Sequence, residues 1–108
     1  MTVKQIFESL DLKISNEADT AKEVSGVYAG DLLSWVMGHA NDGEILVTIM
    51  SNMNVLAVAS LLDLSLVILS EGVIPDAEFM KTAKEKGINV ATSELTTYGV
   101  CAKLAQML

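Results

Sequence analysis

Two short runs, apolar but for Thr48, constrain this chain more than anything else in it: Ile45–Met50 and Leu66–Leu69. Neither alternates polar with apolar residues. A strand with one wet face alternates, whereas a strand covered on both faces reads as a continuous apolar run. Between the two runs lies a helix-length segment, capped by Asn52 or Asn54 and reaching about Leu62. Strand, helix and strand within Glu44–Gly72 has the size of a βαβ unit, which joins parallel strands. The intervening helix is apolar nearly all round, so it is expected to be the most buried helix of the fold.

The flanking segments extend that unit. Thr2 can cap a helix over Val3–Leu10, with Val3, Ile6, Phe7 and Leu10 on one face. Leu12–Ser15 reads as a short strand and Asn16–Lys22 as a polar loop. Val24–Ala29 has strand composition, weakened by Gly26. Asp31 is placed to cap a helix over Leu32–Ala40, with Leu32, Leu33, Val36 and Met37 as its inward stripe. Asn41-Asp42-Gly43 turns the chain into the first apolar run. After Leu69, Pro75-Asp76 opens a helix that stops at Lys86, with Gly87 as its left-handed cap. Phe79, Met80 and Ala83 are its inward residues. Ile88–Thr92 is a further strand. Thr96 or Thr97 starts a last helix striped by Val100, Cys101, Leu104 and Leu108. Three β–α units in series from Glu44 predict right-handed crossovers and a mainly parallel sheet in a three-layer α/β domain spanning residues 1–108.

Composition narrows function. With 51% apolar residues and a mean hydropathy of +0.43, a 108-residue chain has more apolar surface than its core can take. Contiguous exposed apolar surface marks an interface, so a homodimer is expected. The net charge of −7 repels nucleic acid and anionic membrane surfaces. No leader-like N-terminal segment and no run of the ~20 apolar residues that span a bilayer is evident. A single cysteine excludes an internal disulfide. A cytoplasmic location is the matching expectation.

Few residues suggest chemistry. His39 is the only histidine and sits in the last turn of its helix, where a partly charged imidazole favours the helix dipole. Cys101 reads as a small hydrophobe. No metal-ligand spacing, paired carboxylates or phosphate-cradling Gly-Lys loop is present. Trp35 lies opposite its helix's apolar stripe and, with Met37 and Met53, is the expected interface. The loops Met50–Asn54, Ser70–Ile74 and Thr92–Thr97 each follow a parallel strand. They therefore share the sheet edge where α/β folds hold ligands. Ser51, Asn52, Ser70, Gly72, Thr96 and Thr97 offer hydroxyls and amides there. These groups either hold an anion such as a nucleotide phosphate or only cap helices. No Lys or Arg lies in the three loops to neutralise a phosphate.

The segments LSEGVIPD, KEKGINVATS and LTTYGVCAKL, preceded by VYAGDLLSWVM, resemble a DRTGG domain in order and spacing over Val24–Leu108. Such domains occur in phosphotransacetylases, in CBS-containing pyrophosphatases and alone, and are similar to the N-terminal domain of HPr kinase. The resemblance implies that fold and a regulatory or accessory role without catalysis or cofactor. It also implies a homodimer that partners a larger, redox or hydrogenase-type system. The chain departs from the family pattern where Ser51-Asn52-Met53 replaces Asp-Arg and where Glu71-Gly72 replaces Gly-Gly. Loss of an Arg and gain of a carboxylate imply weak binding of any adenine nucleotide.

Overall fold

The computed structural model describes all residues, Met1–Leu108. The chain runs α1 (Val3–Ser9), β1 (Lys13–Asn16), β2 (Gly26–Ala29), α2 (Leu33–His39), β3 (Glu44–Thr48), α3 (Met53–Leu61), β4 (Leu66–Leu69), α4 (Ala77–Lys86), β5 (Val90–Thr92) and α5 (Thr97–Met107). The five strands form one sheet in the order β1-β5-β4-β3-β2. β2 to β5 are parallel neighbours, and β1 adds to β5 antiparallel at the far end.

The apolar runs become the sheet's centre. All four residues of β4 are inaccessible to water, as are Ile45, Leu46 and Val47 of β3. Side chains of a strand point alternately to its two faces. Leu46, Val67, Leu69 and Val90 accordingly meet α2, α3 and α4, through Val36, Leu56 and Phe79. Ile45, Val47, Leu66, Ile68 and Ala91 meet α1 and α5, through Ile6, Val100 and Leu104. This is the expected three-layer α/β arrangement with a mainly parallel sheet.

Local signals account for most boundaries. Thr2 and Gln5 form a reciprocal capping box on α1. Asn52, Asp76 and Thr96 cap α3, α4 and α5 through their side-chain oxygens. Gly87 ends α4 at φ +68°. The polar loop after β1 is pinned by Asn89, which is 2% exposed. Its amide donates to Asp19 O at 2.8 Å and Ser65 O at 3.0 Å, and its Oδ1 accepts from Ala18 N at 2.7 Å.

Several expectations are corrected. The second strand starts at Gly26 rather than Val24. Asp31 does not cap α2: Leu32 occupies that position with no side-chain bond. Of the expected stripe, only Val36 is buried and Leu33 packs against it, while Leu32 and Met37 are exposed. α2 has a single layer of protein beneath it, so only one narrow strip of a two-turn helix can be covered. For the same reason α3 is not buried all round. Val55, Leu56, Val58 and Ala59 face the sheet, but Leu61 is 72% exposed. Leu108 lies past the end of α5 and is exposed, and Met107 packs against the core instead.

Ile68→Ala should cost about 2–5 kcal/mol in urea denaturation, because it empties a site closed on both faces. Leu61→Ala, at the open side of α3, should change stability by no more than about 0.5 kcal/mol. Equal losses would contradict this layering.

Candidate functional site at the carboxyl edge of the sheet

The crossovers after β2, β3 and β4 all pass over one face of the sheet. Only after β5 does the chain cross to the other face, into α5. Adjacent loops that leave toward opposite faces open a crevice, and here it lies between the carboxyl ends of β4 and β5. Five of the candidate features named above belong to this edge: the loops after β3, β4 and β5, and the starts of α3 and α5.

That crevice is stitched shut. Glu71 N donates to Leu95 O at 2.7 Å and Gly72 N to Ser93 O at 2.9 Å. Ser70 Oγ and Thr97 Oγ1 share a hydrogen bond of 2.7 Å, with Ser70 wholly buried. Thr97 N donates to a carboxylate oxygen of Glu71 at 2.9 Å. A carboxylate of the chain itself thus sits on the amide-rich start of α5, where an external anion would be drawn. Glu71 adopts φ +62° and Gly72 φ +74° to make this turn.

The structure separates the predicted residues into two groups. Ser70, Gly72 and Thr97 come together in the stitched crevice. Thr96 caps α5 by accepting from Gly99 N at 3.0 Å, and Asn52 caps α3 by accepting from Asn54 N at 3.0 Å. Ser51 is half-buried at the start of the α3 loop, and no side-chain hydrogen bond joins it or Asn52 to the Ser70–Thr97 pair. Met53 is partly exposed beside Asn52.

Three features were not foreseen. Asp31 Oδ1 accepts from Thr48 Oγ1 and from Ile49 N, both at 2.9 Å, and so ties the end of β2 to the end of β3. Glu71 is a structural acceptor rather than only a repelling charge. The open space starts at the crevice wall, at Gly72 and Ser93, and extends from there toward β1. A cavity of about 560 Å³ opens between β1 and the loop before α4, lined by Ile14, Val73, Ile74 and Met80 with Lys13, Asp11 and Glu94 as its charges. A smaller one of about 230 Å³ adjoins it, beside Lys103. The antiparallel course of β1 sets Lys13 opposite Thr92 and so brings a cation to an edge whose own loops carry none.

The remaining candidates have structural explanations. Trp35 is 57% exposed and stacks on His39, with centroids 4.0 Å apart and planes at 11°. His39 Nδ1 donates to Trp35 O at 2.8 Å. Burial pushes the Cys101 thiol above its ordinary pKa of 9.0, so the thiolate that would act as a nucleophile is scarcer still than in a free cysteine. No three His, Cys, Asp or Glu side chains converge as a metal site would need. No helix is long and apolar enough to cross a membrane.

The fold is a DRTGG-like α/β fold. The chain is similar to a solved structure of the CBS and DRTGG domains of the regulatory region of Clostridium perfringens pyrophosphatase, complexed with its activator diadenosine tetraphosphate, at a TM-score of 0.76 and 19% identity. The match covers 99% of this chain and 47% of that one, so this chain spans about half the length of its neighbour. At that identity the likeness shows the fold. No protein-family model matches the chain, and no curated protein does.

Gly72→Ala should destabilise by about 1–2 kcal/mol, since its φ is positive and an added Cβ would lie 3.1 Å from Glu94 Oε2. Gly38→Ala, in the α2 interior with nothing within 4 Å, should instead stabilise by about 0.5–1 kcal/mol. Thermal unfolding of the two variants checks both signs. Cys101 should alkylate slowly in the folded protein at pH 8 and quickly in urea. Equal rates would mean that burial neither shields the thiol nor raises its pKa.

Proposed function

We propose that this chain is a non-catalytic regulatory or accessory module that works as a homodimer and transmits the state of a larger assembly. The carrying observation is the stitched crevice. At the position where α/β enzymes gather their reacting groups, Ser70, Glu71 and Thr97 are consumed by one another. A hydroxyl held by a second hydroxyl, with no histidine or lysine beside the pair, lacks the base that would activate it. The regulatory setting of the structural neighbour supports the same reading. The larger assembly includes, on the family resemblance, a redox or hydrogenase-type partner.

A second reading is favoured by one observation, the cavity beside the crevice. Its volume falls within the usual range for small ligands. The neighbour was solved with a dinucleotide activator, and a weak adenine-nucleotide sensor in this chain would use either that cavity, which Gly72 lines, or the loop residues Ser51, Asn52, Ser70, Thr96 and Thr97 along the same edge. One lysine faces two carboxylates there, so affinity for a phosphate should be low.

Two measurements test these readings. Thermal-shift titration with adenine nucleotides, including diadenosine tetraphosphate, should leave the melting temperature unchanged below millimolar concentration. Saturation a hundredfold above Kd would add about 2.7 kcal/mol, so a clear rise would transfer the role to ligand sensing. Incubation with labelled ATP, magnesium and candidate protein acceptors should give no transfer, and turnover by pure protein would end the non-catalytic reading.

Light scattering at micromolar concentration should show a dimer. Trp35→Glu should weaken it with circular dichroism unchanged, because Trp35 lies outside both core clusters. A monomer at high concentration would remove the dimer from the proposal.

A further inference from the structure

The two ends of the sheet treat their unpaired backbone differently. β1 carries Lys13 and a register break between Ile14 and Asn16. Charged residues and bulges are the usual means of preventing an edge from pairing with another strand. β2 carries neither. Its sequence is Gly-Val-Tyr-Ala, and it runs in unbroken register beside β3. Gly30 N donates to Val47 O at 3.1 Å, which sets the phase of the ladder. Backbone groups alternate along a strand, so Val27 and Ala29 turn their N–H and C=O away from β3, toward the open side.

Charge follows the same division. Between Val24 and Ala40 the only carboxylate or ammonium is that of Asp31, in a chain whose net charge is −7. One oxygen of Asp31 is held by Thr48 and Ile49. The helix crossing over this end of the sheet, α2, and its N-cap Leu32 together expose Leu32, Trp35 and Met37. Charge returns only at the amino end of β2, where Glu44 lies beside Gly26 and the Met1–Glu23 pair bridges the preceding segment. From Val27 to Ala29 an open strand edge, a surface poor in charge and three exposed apolar side chains coincide at one end of an acidic domain.

We propose that β2 pairs antiparallel with β2 of a second copy, so that the two sheets continue into one another across a two-fold axis. The proposal rests on the dimer reading above and specifies its interface. A second copy is the occupant that fits. A two-fold contact is self-complementary, and here Val27 of one protomer faces Ala29 of its partner on either side of an axis near Tyr28. Two chains of this charge repel one another through most of their surface and meet at least cost where that surface is neutral. The four-residue ladder alone falls short of the ~1,000 Å² of a stable interface, and Leu32, Trp35 and Met37 supply the apolar area that completes it.

Amide hydrogen exchange of the full chain, measured residue by residue by NMR, tests this at one concentration where scattering shows dimer and one where it shows monomer. The Val27 and Ala29 amides should exchange about tenfold more slowly, or slower still, in the dimer, while the Tyr28 amide, bonded within the sheet, stays unchanged. Ala29→Pro removes an outward N–H that an edge strand can spare, and should give a monomer with native circular dichroism. If that variant does not fold, exchange in the natural chain still decides. A dimer in which both amides exchange as in the monomer overturns β2 pairing and leaves the dimer reading standing. A chain that stays monomeric at every concentration overturns both.

Discussion

Everything in this fold depends on keeping β4 dry. Its four residues are fully enclosed, flanked by β3 and β5 within the sheet and by helices above and below. In a chain of 108 residues that demand uses nearly every helix. α3 and α4 cover one face, α5 and α1 cover the other, and α2 is left over the end of the sheet with one buried residue. The apolar excess seen in composition is therefore left on the outside of the layers. Much of it remains at α2 and its N-cap, on the outer side of α3 and along the carboxyl edge, at Leu32, Trp35, Met37, Leu61, Ile49, Ile74, Leu95 and the first turn of α5 with Tyr98.

The same economy shapes the carboxyl edge. Short strands and single-layer helices leave loops that must satisfy their own backbone groups. The loops after β4 and β5 do so by bonding to each other, with Glu71 and Ser70 reaching to Thr97. A site arranged in this way is rigid and self-contained. Space for a small molecule lies to one side, under Lys13, where an antiparallel edge strand overhangs the parallel ones.

Acidity and apolarity act together at the surface. The net charge of −7 sets a repulsion between copies that salt screens, so self-association should strengthen as ionic strength rises toward the physiological range. The segment around β2 and α2 is nearly free of that charge. The charged, bulged β1 edge and the plain β2 edge leave the two ends of the sheet unlike one another.

The elements themselves were legible in the chain because their signals are local. Thr2, Asn52, Asp76, Thr96 and Gly87 start or stop helices through bonds to residues at most a turn away, and the unbroken apolar runs at β3 and β4 need no partner to announce burial on both faces. What the sequence determined alone was thus the series of β–α units and the absence of basic residues from the edge loops. The partners of Asp31, Glu71 and Asn89 could not be read, because each bonds to groups 17 to 71 positions distant. Asp31 resembles a cap in sequence, and only the packing of β2 beside β3 gives its carboxylate a better donor set. The reach of Lys13 to the ligand edge follows from β1 running backwards, which no local pattern records. Tertiary structure alone decided which hydroxyls remain free, which face of each helix stays wet and which end of the sheet is unprotected. Those outcomes depend on which segments become neighbours, and the residues that decide it are far apart along the chain.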